Sequence, residues 1–162
     1  MDSFLCYSVR MSHKIPRCCL PTIRIPKYSS VFDGNEISAT EFDDWHQENT
    51  LAICAAELKF PVGWAAKLIN VYLKTMVYLA GVGRPSLVQC IHPPIDNGLW
   101  KGIREKYRYR LDITSKTHVV NRIKDIDTYE KYRTIIDGCR LISKDRDCYL
   151  IEVEELWQGT EI

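Results

Sequence analysis

The sequence predicts an all-α protein, a compact orthogonal domain of about five to six helices over residues 38–162, preceded by an irregular or extended arm at 1–37. Two observations carry that reading. Ser38-Ala-Thr-Glu41 has the Ser-x-x-Glu form that satisfies backbone donors at a helix start. From Trp64 to Leu79 almost every residue is apolar, while Lys67, Asn70 and Lys74 recur at i, i+3 and i+7, the spacing of one narrow stripe on a helix. A chain of 162 residues with 46% hydrophobic and 27% charged residues has enough apolar material for one core without metal or disulfide help.

The elements follow in order. Pro16, Pro21 and Pro26 interrupt the first thirty residues, and Thr22 to Ile25 is at most a short strand that Pro26 ends. A helix is expected from Ala39 to Leu58, with Phe42, Trp45, Leu51 and Ala55 loosely on one face and Asp43, Asp44, Gln47 and Glu48 opposite. Pro61 and Gly63 break the pattern. The central helix then runs from Trp64 to Leu79 and stops at Gly81-Val-Gly83-Arg-Pro85. After a short apolar stretch, Leu87 to Ile91, the run His92-Pro-Pro-Ile-Asp96 forms a rigid turn before a helix at Asn97 to Tyr109. Two more helices are expected at Thr128 to Ser143 and Leu150 to Trp157, with a loop at Asp145 to Cys148.

Charge and cysteine usage bound the function. The formal net charge of +1 conceals an uneven distribution. Residues 101–124 hold eight Lys/Arg against Glu105 and Asp112, whereas 145–162 hold six acidic residues against Arg146. Seven cysteines, an odd number with no C-x-x-C pair, fit neither a disulfide framework nor a zinc site of usual spacing, so a reduced cytoplasmic chain is expected. No signal-peptide pattern and no run near the roughly 20 apolar residues of a membrane span is present. No phosphate-binding loop, metal-ligand cluster or cofactor motif stands out, and neither metal nor cofactor is expected.

The residues with chemistry are Lys67 on the central helix and Asp96 at the end of the Pro-rich turn. A half-buried amine can attack an electrophilic sugar carbon and form a Schiff base, and a neighbouring carboxylate can move a proton and stabilise developing positive charge. The plainer readings are a solvated Lys on the polar stripe and an Asp that only caps the next helix. His92 reads as a loop residue, since His46 and His118 are distant in sequence, and Trp64, Trp100, Tyr72 and Tyr132 read as core aromatics. In the basic stretch, Lys101, Arg104, Arg108 and Arg110 are placed to grip phosphates, with Tyr107 and Tyr109 between them to stack on a base. The alternative there is a solvated helix face.

Gly63-Trp-Ala-Ala-Lys67-Leu-Ile-Asn and Pro93-Pro-Ile-Asp96-Asn-Gly-Leu-Trp100 resemble the helix-hairpin-helix DNA glycosylase superfamily, especially its 8-oxoguanine glycosylase branches. The later Tyr129-Glu-Lys-Tyr132 and Ile151-Glu-Val-Glu-Glu-Leu-Trp157 resemble that family's final core helix and closing segment. The resemblance implies a DNA-binding base-excision protein with Lys67 as nucleophile, Asp96 as its acidic partner, and Gly63 as a hairpin glycine whose backbone approaches a DNA phosphate. It implies no cofactor. The hairpin carries Gly63 without a Gly-x-Gly pair, and the chain is shorter than typical members. Those departures, with a pI near 7.6, keep open a non-catalytic helical protein that retains the fold and binds another protein through the N-terminal arm.

Overall fold

The computed structural model describes residues 28–56 and 60–159, and every regular element among them is helical. The α-helices are α1 (Tyr28–Phe32), α2 (Ala39–Ala56), α3 (Val62–Leu73), α4 (Leu87–Cys90), α5 (Asn97–Tyr107), α6 (Leu111–Thr117) and α7 (Tyr129–Arg146). A π-helical turn, Lys74–Leu79, continues α3, and 3-10 turns lie at Ile123–Asp125 and Leu150–Leu156. No helix among the described residues is long and apolar enough to cross a membrane. The expected strand at Thr22 to Ile25 and the arm up to residue 27 lie outside the described residues, as do the last residues of the expected α2.

The described part of the arm, expected to be irregular or extended, carries the helix α1 and packs into the core. Val31 and Ile37 are buried in the core. Arg84 binds this segment to the loop after the π turn, donating to the carbonyls of Ser30, Asn35 and Glu36 and to Glu41 Oε1 at 2.7 Å. Ser38 caps α2 as its position predicts, accepting from the Glu41 amide at 3.1 Å. The Glu41 carboxylate, however, takes Arg84 as its partner, because a guanidinium bound otherwise to three backbone carbonyls still needs a counter-charge.

The central helix begins earlier than expected, at Val62, because Pro61 provides an extended residue at the cap and Gly63 falls in the first turn rather than before it. It also changes pitch at Lys74. Thr75 Oγ1 donates back to the Val71 carbonyl at 2.9 Å, and the Ala80 amide reaches Thr75 O, five residues back. Gly83, at φ 129°, then adopts a conformation in which a side chain would be strained and would meet Leu87.

Three short elements escaped the periodicity: α1, α4 and α6. The last lies within the basic stretch 101–124, and it packs along α7. Two apolar groups make the core. One gathers Leu99, Ile103, Ile113, Tyr132, Ile135 and Val153 between α5, α6 and α7; the other gathers Phe42, Trp45, Ile69, Leu73 and Leu87 around α2, α3 and α4. The closing 3-10 turn lies against α5 where Gly98 and Gly102, one turn apart, present no side chain. A Cβ on Gly102 would collide with the Leu156 carbonyl oxygen, and one on Gly98 would collide with the Trp157 indole.

Candidate functional site

Lys67 and Asp96 come together. Lys67 Nζ donates to Asp96 Oδ2 at 3.1 Å, and the two side chains are 25% and 27% exposed. Asp96 is also the N-cap of α5, its Oδ1 accepting from the Leu99 amide at 3.0 Å. Capping and pairing therefore coexist in one carboxylate, with one oxygen given to each. The Trp157 indole N–H donates to the same Oδ1 at 3.0 Å, and the Lys67 amine lies 5.7 Å from the Trp64 ring centre. The stripe on α3 is thus not a solvated one. Lys74, two turns on, pairs with Glu154 at 2.7 Å, which fastens the 3-10 turn that ends at Trp157.

The residue between the two lysines, Asn70, is fully buried and belongs to a polar network that crosses the core. Its Nδ2 donates to the Pro93 carbonyl at 3.1 Å and to the Tyr132 hydroxyl at 2.9 Å, and its Oδ1 faces His46 Nε2 at 2.9 Å. Tyr129 OH lies 2.8 Å from His46 Nδ1. Tyr132 OH lies 3.0 Å from His92 Nδ1, and His92 Nε2 lies 3.0 Å from Asp43 Oδ1. Arg140 closes the chain with two 2.7 Å bonds to Asp43 and a third, at 2.9 Å, to Asp137.

The chemistry of the ends orients every bond between them. An amide oxygen only accepts, so His46 donates from Nε2 and, when neutral, receives the Tyr129 proton at Nδ1. Asn70 donates to Tyr132, whose own proton then goes to His92 Nδ1, leaving His92 to donate from Nε2 to Asp43. Burial pushes the His46 imidazole well below the usual histidine range, with the neighbouring His92 adding to the effect. Burial likewise lowers His92, opposed by its bond to Asp43. For Asp43, burial acts upward, but His92 and Arg140 outweigh it and hold the carboxyl below its ordinary value.

This network corrects the expectation for His92, which is a buried partner of the core rather than a loop ornament. His46 and His92, 46 residues apart in the chain, have ring centres 4.9 Å apart. Of the polar face expected for α2, Asp44 and Glu48 are exposed but Asp43 is drawn into the network; of its expected apolar face, Phe42 and Trp45 are buried but Leu51 and Ala55 are exposed, their place in the core taken by His46, Asn49, Thr50 and Ile53. Tyr72, Trp100 and Tyr132 are core aromatics as expected, whereas Trp64 is only half-buried, beside Lys67; Trp100 also donates to the Thr117 carbonyl at 2.7 Å.

The phosphate candidates divide into three groups. Lys101, Arg104 and Arg108, at i, i+3 and i+7, are exposed along α5 and its C-cap and enter no ion pair among the described residues. Arg110 is held by Asp112 at 2.9 Å and by Asp145 at 3.0 Å, so its charge is largely matched. Gly63 is buried, with its amide committed to the Ile126 carbonyl at 3.0 Å; a Cβ there would strike the Ile123 carbonyl. Its backbone is spent on packing α3 against the 3-10 turn Ile123–Asp125, which removes it from the phosphate contacts the resemblance implied. Of the two tyrosines in the stretch, Tyr107 is buried, whereas Tyr109 is exposed with the Arg108 guanidinium 4.6 Å from its ring centre.

Trp157 and Asn70 were the parts of the site that sequence reasoning missed. A signal for Asn70 was present: an amide one turn from Lys67 on a helix otherwise apolar. A cavity of about 310 Å³ lies elsewhere, lined by residues including Gln89, Cys90, Arg140, Lys144 and Cys148. Compared with known proteins, the chain matches no family model, no curated protein and no solved structure.

Proposed function

We propose that the protein is a DNA-binding base-excision protein of the glycosylase/lyase type, with Lys67 as nucleophile and Asp96 as its acidic partner. The observation that carries this reading is the 3.1 Å contact between an amine and a carboxylate that both remain partly open to solvent, at the head of a helix whose exposed cations enter no ion pair among the described residues. An ammonium that donates to Asp96 must lose a proton before it attacks, and the same carboxylate is in reach to accept it. The neutral amine then attacks C1′ of a deoxyribose and the base leaves with the glycosidic electron pair. Asp96, protonated in that step, gives the proton on to the departing base, which restores a carboxylate 3.1 Å from the nitrogen as positive charge develops on the sugar. Ring opening leaves an imine to Lys67, and loss of a C2′ proton expels the 3′-phosphate, which cuts the strand.

Lys101, Arg104 and Arg108 would hold the backbone beside that sugar. Spread over two turns of α5, they span about 10 Å, roughly the axial rise of three phosphates on one DNA strand at about 3.4 Å each. DNA repair in the cytoplasm, with no cofactor, is the corresponding role. The test is a strand-cleavage screen of duplexes carrying different damaged bases or an abasic site. Wild type is expected to cut at least one, and Lys67→Gln none; equal cutting by both proteins would refute the assignment.

A second reading is favoured by two observations. Asp96 is already met by Lys67, Leu99 and Trp157, and the Gly63 amide is used inside the fold. On that reading the pair is a structural clasp in a non-catalytic interaction protein, whose partner would meet the N-terminal arm, of which residues 1–27 lie outside the described residues. No substrate in the screen would then yield product.

A further inference from the structure

The geometry points to Asn70, Tyr132 and His92 as positioning residues that set the distance between Lys67 and Asp96 from inside the core. This rests on the reading of those two residues as a working pair. Lys67 and Asn70 lie one turn apart on α3, and each grips a different part of the same turn: Lys67 holds Asp96 at its end, while Asn70 holds the Pro93 carbonyl near its start, at 3.1 Å. His92, immediately before Pro93, is fixed from the other side by Tyr132 and Asp43. The turn from His92 to Asp96 is therefore clamped at three points, two on α3 and one reaching α2 and α7.

The clamp has a single hub. The Tyr132 hydroxyl accepts from Asn70 and donates to His92, so one oxygen fixes both the amide that holds Pro93 and the imidazole that precedes it. Asn70 cannot rotate its amide without turning its oxygen from His46 and its nitrogen from two acceptors at once. The His46 ring lies parallel to that of Tyr132, with 6° between the planes and 5.1 Å between centres, which leaves the phenol no alternative rotamer without losing the stack. Two prolines between the clamped points stiffen the chain, so displacement at Pro93 is passed to Asp96 rather than absorbed. Polar groups in a core are costly unless fully paired, and this set is paired in one direction throughout. An apolar set would fill the same space, but it would not fix the register of the turn against α3.

Tyr132→Phe removes the hub oxygen with almost no change of volume, and Asn70→Ser removes the grip on Pro93. The activity-independent readout is zero-length cross-linking of amines to carboxylates by a carbodiimide, mapped by mass spectrometry. That reaction joins Lys67 to Asp96 only while they are in contact. Lys74, on the π turn that continues α3, and Glu154, on the closing 3-10 turn, are 2.7 Å apart and supply the internal control. Both variants are expected to lower the Lys67 to Asp96 cross-link about tenfold, since a shift on the order of 1 Å is enough to lose a contact geometry, with the Lys74 to Glu154 cross-link held within about twofold. An unchanged Lys67 to Asp96 yield overturns the proposal, as does an equal fall in both cross-links, which would mean general loosening. Failure of both variants to fold overturns it too, because the network would then be a device of stability. Wild type that cross-links normally but cuts no DNA refutes the glycosylase reading and leaves the positioning role standing.

Discussion

Asp96 divides its two oxygens between a helix cap and a lysine, and that division makes its substitutions informative. Asn caps helices about as well as Asp, so Asp96→Asn should keep the Leu99 bond and leave the melting temperature close to wild type while removing the negative charge beside Lys67. The expected result is a fall in strand cutting of roughly 10²- to 10⁴-fold, the range for loss of a positioned acid or base. A loss of folding in step with activity would instead assign Asp96 to the cap alone. Gly102→Ala tests the other side of the site. The added methyl collides with the Leu156 carbonyl, so α5 and the turn carrying Trp157 must separate, at a cost of roughly 1–3 kcal/mol in denaturant unfolding. At this scale the sequence was legible where residue type and local spacing agree, as at Lys67 and Asp96. It was not legible at His46, His92 and Asp43, because their roles depend on rings from distant segments meeting at 4.9 Å.

Helix α5 joins the two halves of the functional reading, with the carboxylate at its head and cations along its exposed face. Substituting Lys101, Arg104 or Arg108 by Ala should weaken DNA binding across sequences, and each change should reduce the slope of log affinity against log salt by about 0.9. Arg110→Ala should do so much less, since Asp112 and Asp145 already match its charge. Four equal effects would show that the ion pairs of Arg110 open on binding; four null effects would remove α5 from the interface. The long helices could be read from sequence because caps and apolar period coincide, as at Ser38 and Thr128. The short ones could not. Helix α6 has seven residues and two fully buried positions, too few for a period to stand out. The π turn at Lys74–Leu79 was equally hidden, since its residues fit an ordinary helix and only the register change distinguishes it.

The whole molecule depends on a core that holds two neutral imidazoles. The sign of the resulting pH dependence is fixed: burial lowers the folded-state affinity of His46 and His92 for a proton, so below the unfolded value near 6.5 the unfolded chain binds protons that the folded chain refuses. Stability should therefore be fully present above that value and decline as pH falls, by up to about 1.4 kcal/mol per pH unit for each histidine. Asp43, held below its ordinary value, adds a further loss only as the pH drops under about 4. Denaturant unfolding at pH 7.5, 6 and 5 checks this, and a flat profile would contradict neutral, buried imidazoles. The same core places the candidate pair, so fold and chemistry meet in one covalent test. Wild type and Lys67→Gln are incubated with a duplex containing an abasic site, reduced with borohydride, and digested for mass spectrometry. A reduced sugar adduct on the peptide containing Lys67, absent from the variant, is the predicted result; no adduct, or an adduct on another lysine, would contradict the account.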